Sequence, residues 1–431
     1  MTSMHENANS PKLKQGIGLP QAIALYIGSV LGSGVLIVPG LAAELAGPAS
    51  LLAWGFMVLL ILPMALSMGL LSAKYPNAGG VSHFVTLAYG KRAGTLVGWF
   101  FLMSVPIGAP VAALTGAGYL TAALGWGEGA KIAVAAVMLA AALFTNWIGM
   151  QLAGKIQIAV VIAIAAVLVF SFAAAMPRME SAHFTPFLPH GWLSVGQAAS
   201  MLFWCFIGWE AVSHMSEEFK DPQKAAIKGV TAAAIIVGIL YFLSALATVG
   251  TQSYLKGGSD SSMVWIISQP LGAWGGIVAG VTGLFICMAG MIAYTGAAAR
   301  VAYAMAREGN APKWWRGLSP RFHTPVGALF FLAFCFAVVI LLYGSGVLSL
   351  ATLIQFPNAT FILTYMGGCA AGIKLLKGSR AGVIISWISF IATAVVFPFT
   401  GWAMLYPLLI ALLFLAIGLR IGRRKETTLE H

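Results

Sequence analysis

The sequence predicts an all-α membrane protein of twelve transmembrane helices, and three observations carry that expectation. Its 431 residues are 60% hydrophobic and 8% charged, whereas an ordinary soluble domain is roughly a quarter charged. Apolar stretches of about 20 residues recur from Gln21 to Leu419, each long enough as a helix to cross a hydrocarbon core about 30 Å thick. The cations follow a parity that an even number of spans produces.

In chain order the spans fall near 19–46, 49–73, 93–123, 131–150, 153–176, 193–216, 226–252, 272–299, 325–343, 347–372, 381–398 and 400–420. With this division all but three of the 24 lysines and arginines lie on one side of the membrane, the exceptions being Lys131, Arg178 and Lys256. The positive-inside rule therefore puts both termini in the cytoplasm. A net charge of +12 would otherwise suggest nucleic acid, but these cations sit in short loops at membrane edges, not on one basic face. Cys205, Cys287, Cys335 and Cys369 fall inside apolar spans, where a small hydrophobe packs and no metal spacing arises. The polar stretch Met1 to Gln15 lacks an apolar run before a cleavage site, so no signal peptide is expected. The closing Leu-Glu-His reads as a cloning scar.

Two spans carry mid-membrane glycines without an adjacent proline to explain an interruption. The first reads Gly28-Ser29-Val30-Leu31-Gly32-Ser33-Gly34-Val35 and the sixth Phe203-Trp204-Cys205-Phe206-Ile207-Gly208-Trp209-Glu210. If the chain is two five-helix halves followed by two further spans, these helices occupy corresponding positions and the halves are inverted. Paired interruptions of that kind point to a transport site. Gly32-Ser33-Gly34 also fits a small-residue packing seam that needs no ligand. The first span runs outward, so its outer half begins at the break with free amides and a partial positive charge that suit a carboxylate. The sixth runs inward, so its outer half ends at the break with unpaired carbonyls near Trp204 to Ile207 that suit an ammonium. Together these describe an α-amino acid backbone.

No intramembrane lysine, arginine or aspartate is near, so the substrate side chain is expected to be neutral. Phe206, Trp204 and Trp209 are candidates for an apolar lining, although aromatic residues in such helices also serve as plain packing. Glu210 is the acidic residue deep in the membrane, where ionisation costs about 2.5 to 3.5 kcal/mol on the lenient insertion scale. Two readings stand: a carboxyl that clasps the broken backbone of the first span, or a proton-sensitive gate. Glu44 belongs near the outer end of its span. His83, His214 and His323 fall on one side and His183 and His190 on the other, so no metal site is expected. No hydrolase, zinc-protease or nucleotide-loop pattern occurs, which excludes an enzyme and leaves gradients to drive transport. A channel would need a polar pore lining that these spans do not offer.

Four segments then resemble the amino acid, polyamine and organocation transporter superfamily. They are Gly32-Ser33-Gly34-Val35 with Pro39; Tyr75-Pro76-Asn77-Ala78-Gly79-Gly80 through Tyr89-Gly90; Glu217-Glu218-Phe219-Lys220-Asp221-Pro222; and Ala304-Met305-Ala306-Arg307-Glu308-Gly309 with Pro320 and Pro325. Ala78 to Val81, Pro106-Ile107-Gly108 and Met201 to Glu210 further resemble the bacterial amino acid efflux family, exporters of methionine and branched-chain amino acids. The resemblance implies a five-plus-five inverted-repeat fold of the leucine transporter type. Its units would be a cytoplasmic tail 1–18, a first repeat 19–176, a second repeat 193–372, two added helices in 381–420, and a cytoplasmic tail 421–431. It implies that the amides of Ser33 and Gly34 take the substrate carboxylate and the carbonyls of Val30, Trp204 and Ile207 its ammonium. Gly32, Phe206 and Gly208 complete the expected substrate site. Trp204 would gate it, and Glu210 would match a glutamate proposed to sense protons. Some relatives carry a lysine midway along the fifth span; here the lysine is Lys155, at its start, so coupling falls to Glu210 or to exchange alone.

The expected function is a bacterial plasma-membrane secondary transporter exporting neutral, mainly apolar L-amino acids such as methionine, leucine, isoleucine and valine by alternating access, as proton-coupled antiport. Uptake symport or obligate exchange is the alternative; a transporter-like sensor or channel comes third. No cofactor or metal is expected. The expected partners are a neutral amino acid, protons and the bilayer, with a homodimer left open and no nucleic acid.

Overall fold

The computed structural model describes residues 18–76, 80–149, 154–210, 219–307 and 309–427. The residues Asn77, Ala78, Gly79, His214, Glu217, Glu218 and Glu308, singled out above, lie outside the described residues, as do the tail 1–17 and the end of the sixth span. Among the described residues the regular structure is helical, with no strand. In chain order the helices are α1 Leu19–Val30, α2 Gly34–Ala46, α3 Ser50–Lys74, α4 Gly80–Tyr89, α5 Lys91–Leu124, α6 Glu128–Trp147, α7 Gly154–Ala175, α8 Gly191–Leu202, α9 Pro222–Thr251, α10 Ser262–Arg307, α11 Val326–Gly344, α12 Leu350–Leu375, α13 Arg380–Val396 and α14 Leu405–Thr427.

Eight helical stretches among the described residues are long and apolar enough to cross a membrane. Two of them, Gly34–Lys74 and Arg380–Ala416, each contain two of the helices named here. The two interrupted spans are divided as the glycines lead one to expect: α1 and α8 are each 12 residues long, short of a bilayer's thickness. Two features were not anticipated. The first loop contains its own helix, α4, and α9 opens with a π turn at Ala225–Gly229.

The 34-residue α5 runs through the middle of the bundle and packs most extensively against α10, then α12, α4 and α6. Outward from this core the side chains are apolar and exposed: Leu59, Val137, Phe285, Phe334 and Leu341 are each more than half accessible. A surface of that kind is stable against lipid, where the helices already satisfy their own backbone polar groups. Serine caps start two of the later helices, Ser349 accepting from the Thr352 amide and Ser379 from the Gly382 amide.

The two ends of the bundle differ in chemistry. At one end the Lys74 ammonium donates to Leu375 O at 2.8 Å and the Tyr89 hydroxyl to Ala370 O at 2.8 Å, joining α3 and α4 to the end of α12. At the other, Lys131 near the start of α6 meets Asp260 at 3.3 Å, Glu128 at 3.5 Å and the Tyr343 hydroxyl at 2.8 Å. This second cluster joins α6, the segment before α10 and the end of α11. Glu44 is exposed near the end of α2, as expected.

Candidate functional site

The interruption of the first span is local and abrupt. Leu31 leaves the helix with ψ near 90°, Gly32 and Ser33 bend, and α2 starts afresh at Gly34. The first amides of α2 have no intrahelical acceptor and carry the positive end of its dipole. Pro39 inside α2 removes a further donor, and the Tyr119 hydroxyl of α5 donates to Leu36 O. Nearly all of α2 from Gly34 to Ala43 is buried.

The sixth span tightens from α8 into a 3-10 turn at Phe203–Phe206, then straightens at Ile207 (ψ 141°). Gly208 follows at φ +131°, a conformation open to glycine and strained for other residues. A Cβ at Gly208 would lie 2.1 Å from Ser29 O, so the two interruptions cross in direct backbone contact. A Cβ at Gly34 would lie 3.0 Å from Cys205 Cα and 3.0 Å from Trp204 Cδ1, so the start of α2 abuts the same turn. The glycines mark close approach between the two broken helices, and the chain departs from helix at both places. A packing seam alone accounts for the first fact but not the second.

The expected site residues come together here. Ser33 is buried and Trp204 half-buried. The indole of Trp204 spans from Gly34 to α5, where a Cβ at Gly108 would meet it at 3.0 Å. The Pro106-Ile107-Gly108 segment thus leaves space for that ring. Phe206 is fully buried and stacks edge-on against Tyr241 (5.2 Å between centroids) and Trp54 (6.1 Å), which makes it a wall behind the turn. Trp209 packs against Tyr26 at 6.1 Å.

Four residues outside the sequence reading hold the crossing together. The Tyr241 hydroxyl of α9 sits 2.8 Å from Val30 O and 2.9 Å from Cys205 O, bridging carbonyls freed by both interruptions. Val30 O, expected to meet an ammonium, therefore already has one donor and keeps its second lone pair. The Asn358 amide of α12 donates to Ser200 O and Met201 O at 3.2 Å each, capping the last turn of α8. Its buried Oδ1 has no partner among the described residues. Tyr294 of α10 and Tyr365 of α12 enclose Glu210.

Glu210 is 2% exposed. Its Oε2 accepts from the Gly208 amide at 2.9 Å and from the Tyr365 hydroxyl, and its Oε1 accepts from the Tyr294 hydroxyl at 3.3 Å. The carboxyl therefore clasps the interruption of its own span and ties it to α10 and α12; among the described residues its hydrogen-bond partners do not include the backbone of the first span. Both hydroxyls can rotate to accept instead of donate, so one cage accommodates the carboxyl with or without its proton. Among the described residues Lys131 and Glu210 are the charged side chains that are buried, and Lys131 belongs to the cluster at the end of the bundle. Among the described residues no basic side chain lies at the crossing to pair an anionic substrate side chain, and the carboxyl of Glu210 is already held by three donors.

Comparison with known proteins places the chain in a family. A family model described as amino acid permease matches residues 17–419. The chain is 39% identical over 404 residues to the uncharacterized amino acid permease YecA of Bacillus subtilis (strain 168), covering 93% of this chain and 95% of that one. It is 31% identical over 401 residues to the L-methionine/branched-chain amino acid exporter YjeH of Escherichia coli (strain K12), covering 92% and 94%. It is 26% identical over 345 residues to the branched-chain amino acid permease BcaP of Bacillus subtilis, covering 74% and 73%. The chain belongs to the amino acid permease family within the amino acid, polyamine and organocation superfamily, and is a membrane transporter, not an enzyme.

Proposed function

We propose that this transporter exports neutral, mainly apolar L-amino acids, with methionine, leucine, isoleucine and valine as the first candidates, by alternating access coupled to proton antiport across the bacterial plasma membrane. The observation that carries the reading is the crossing of two interrupted helices, with Gly208 against Ser29 and Gly34 against Cys205 and Trp204, and with no basic side chain beside it among the described residues. In this reading Ser33 and Gly34 amides receive the carboxylate, and the carbonyls of Val30, Trp204 and Ile207 receive the ammonium. Gly32 and Gly208 keep the backbone near enough, Phe206 backs the pocket, and Trp204 moves as the gate. Glu210, in a cage that tolerates either protonation state, is the proton carrier. The exporter relative supports the substrate class and the direction.

The same proposal takes the helices as twelve spans: α1 with α2, α3, α5, α6, α7, α8 with its continuation, α9, α10, α11, α12, α13 and α14. Residues 19–176 and 193–372 form two inverted repeats, and both termini lie in the cytoplasm. The segregation of chemistry between the two ends of the bundle supports that orientation. A permease relative named for branched-chain amino acids favours a second reading, uptake through the same site. Labelled methionine and leucine flux in proteoliposomes, with and without a pH gradient and with unlabelled amino acid on the opposite side, decides between them. Gradient-driven loss of internal label supports antiport, flux only against counter-substrate means obligate exchange, and no flux of any neutral amino acid overturns the substrate assignment.

A further inference from the structure

Two cavities adjoin one another where α6, α10 and α11 meet, lined by none of the residues of the crossing of the interrupted helices. The first, about 270 Å³, carries polar side chains in its lining: Arg300, His323, Tyr303 and Asn146. The second, about 300 Å³, is almost wholly apolar and runs between α6 and α11, walled by Leu143, Phe144, Trp147, Phe330 and Ala333. Leu329 lines both, so the two adjoin at that side chain as a trough with a cationic head and an apolar tail.

The groove runs into the bundle from the end where α6 finishes and α11 begins. From Val326 to Ala333 it descends α11 by about 10 Å at 1.5 Å per residue. Its walls face outward: Phe144 is 56% and Phe330 68% exposed. At the head, Arg300 has no hydrogen-bonding, ionic or ring partner among the described residues. The Lys313-to-Pro325 segment beside it carries Lys313, Arg316, Arg321 and His323 and no acidic residue. Trp147 stacks edge-on against Phe322 at 5.7 Å, the kind of aromatic pair that a membrane–water interface favours.

We propose that this trough binds one anionic phospholipid, its phosphate on Arg300 and His323 and an acyl chain in the groove between α6 and α11. The inference rests on the membrane-spanning reading above but not on the substrate or direction of transport. A guanidinium offers paired donors to phosphate oxygens, and basic pockets between spans on the cytoplasmic side are suited to lipid headgroups. The apolar groove distinguishes a lipid from a soluble phosphate, which would leave it empty.

The test uses the purified full chain in detergent, with lipid retention read by native mass spectrometry and thermal stability read alongside. Phosphatidylglycerol is expected to be retained as one tightly bound molecule and to raise the melting temperature, and phosphatidylcholine at equal concentration is not. Arg300→Gln, an exposed position, is expected to weaken retention about tenfold through loss of a charge-assisted contact. Ala333→Trp fills the groove and is expected to abolish retention while the head is intact. Equal retention of the two lipids by the unaltered protein, or unchanged retention in Arg300→Gln, overturns the proposal. So does an equal stabilisation by glycerol 3-phosphate, which would mark a site for soluble phosphate. Amino acid flux is a separate readout, so failure of the transport assignment leaves this result standing.

Discussion

In the transport mechanism proposed above, coupling turns on Glu210. Its two carboxyl oxygens take one amide and two hydroxyls from three different segments, so in that proposal a proton on the carboxyl reverses a hydrogen bond and loosens the tie between the sixth-span interruption, α10 and α12. Glu210→Gln keeps the volume and fixes the charge at zero; transport by this variant is expected to lose its pH dependence, and an unchanged profile would leave Glu210 as a structural clasp. Gly208→Ala is expected to abolish transport and lower stability, because its Cβ would fall 2.1 Å from Ser29 O in a backbone of φ +131°. Tyr241→Phe removes the hydroxyl shared by Val30 O and Cys205 O; with about 1 kcal/mol per lost bond, thermal unfolding should show a loss of about 1 to 2 kcal/mol. The glycines and Glu210 were legible in sequence because each breaks a rule of apolar helices. Tyr241, Tyr294, Tyr365 and Asn358 were not: a tyrosine in an apolar span looks like packing, and each contacts a carbonyl or carboxyl more than 30 positions away in the chain.

At the scale of elements, the segment between α9 and α10 closes one end of the bundle over α2. A Cβ at Gly40 would sit 1.9 Å from Ser259 O, and the next residue, Asp260, is held by Lys131. The contact of α2 with this segment is thus one of shape, and the hold on it is ionic. Asp260→Asn is expected to release the segment and raise labelling of a cysteine placed at Ser259 by a membrane-impermeant maleimide, whereas Glu128→Gln, at the more exposed partner, should change it less. Equal labelling in the unaltered and Asp260→Asn backgrounds would show that shape alone holds the segment. The long apolar helices were readable because hydropathy over about 20 residues is a strong signal; eight such stretches stand among the described residues, and their division into twelve spans belongs to the proposal. The helix α4, the π turn in α9 and the 3-10 turn after α8 were not, since each is set by what packs against it and carries no period of its own.

For the whole molecule, thermodynamics separates export by antiport from uptake by symport without knowledge of how the protein inserts into a vesicle. Coupling ties proton flow to amino acid flow in a fixed relative sense, so inverted and upright copies respond alike to an imposed gradient. Vesicles loaded with labelled leucine at pH 8 and diluted into pH 6 have an inward proton gradient, worth about 1.4 kcal/mol per pH unit. One-for-one antiport under two units would drive leucine out against a concentration ratio of about 100, so loss of label should accelerate relative to symmetric pH and continue against external leucine. Symport predicts the opposite, retention of label and net uptake. Obligate exchange predicts that only external substrate matters, in which case Glu210 would serve the crossing of the two interrupted helices as a structural tie and carry no proton. An uncoupler should erase the acceleration in the unaltered protein, and Glu210→Gln should show none to erase.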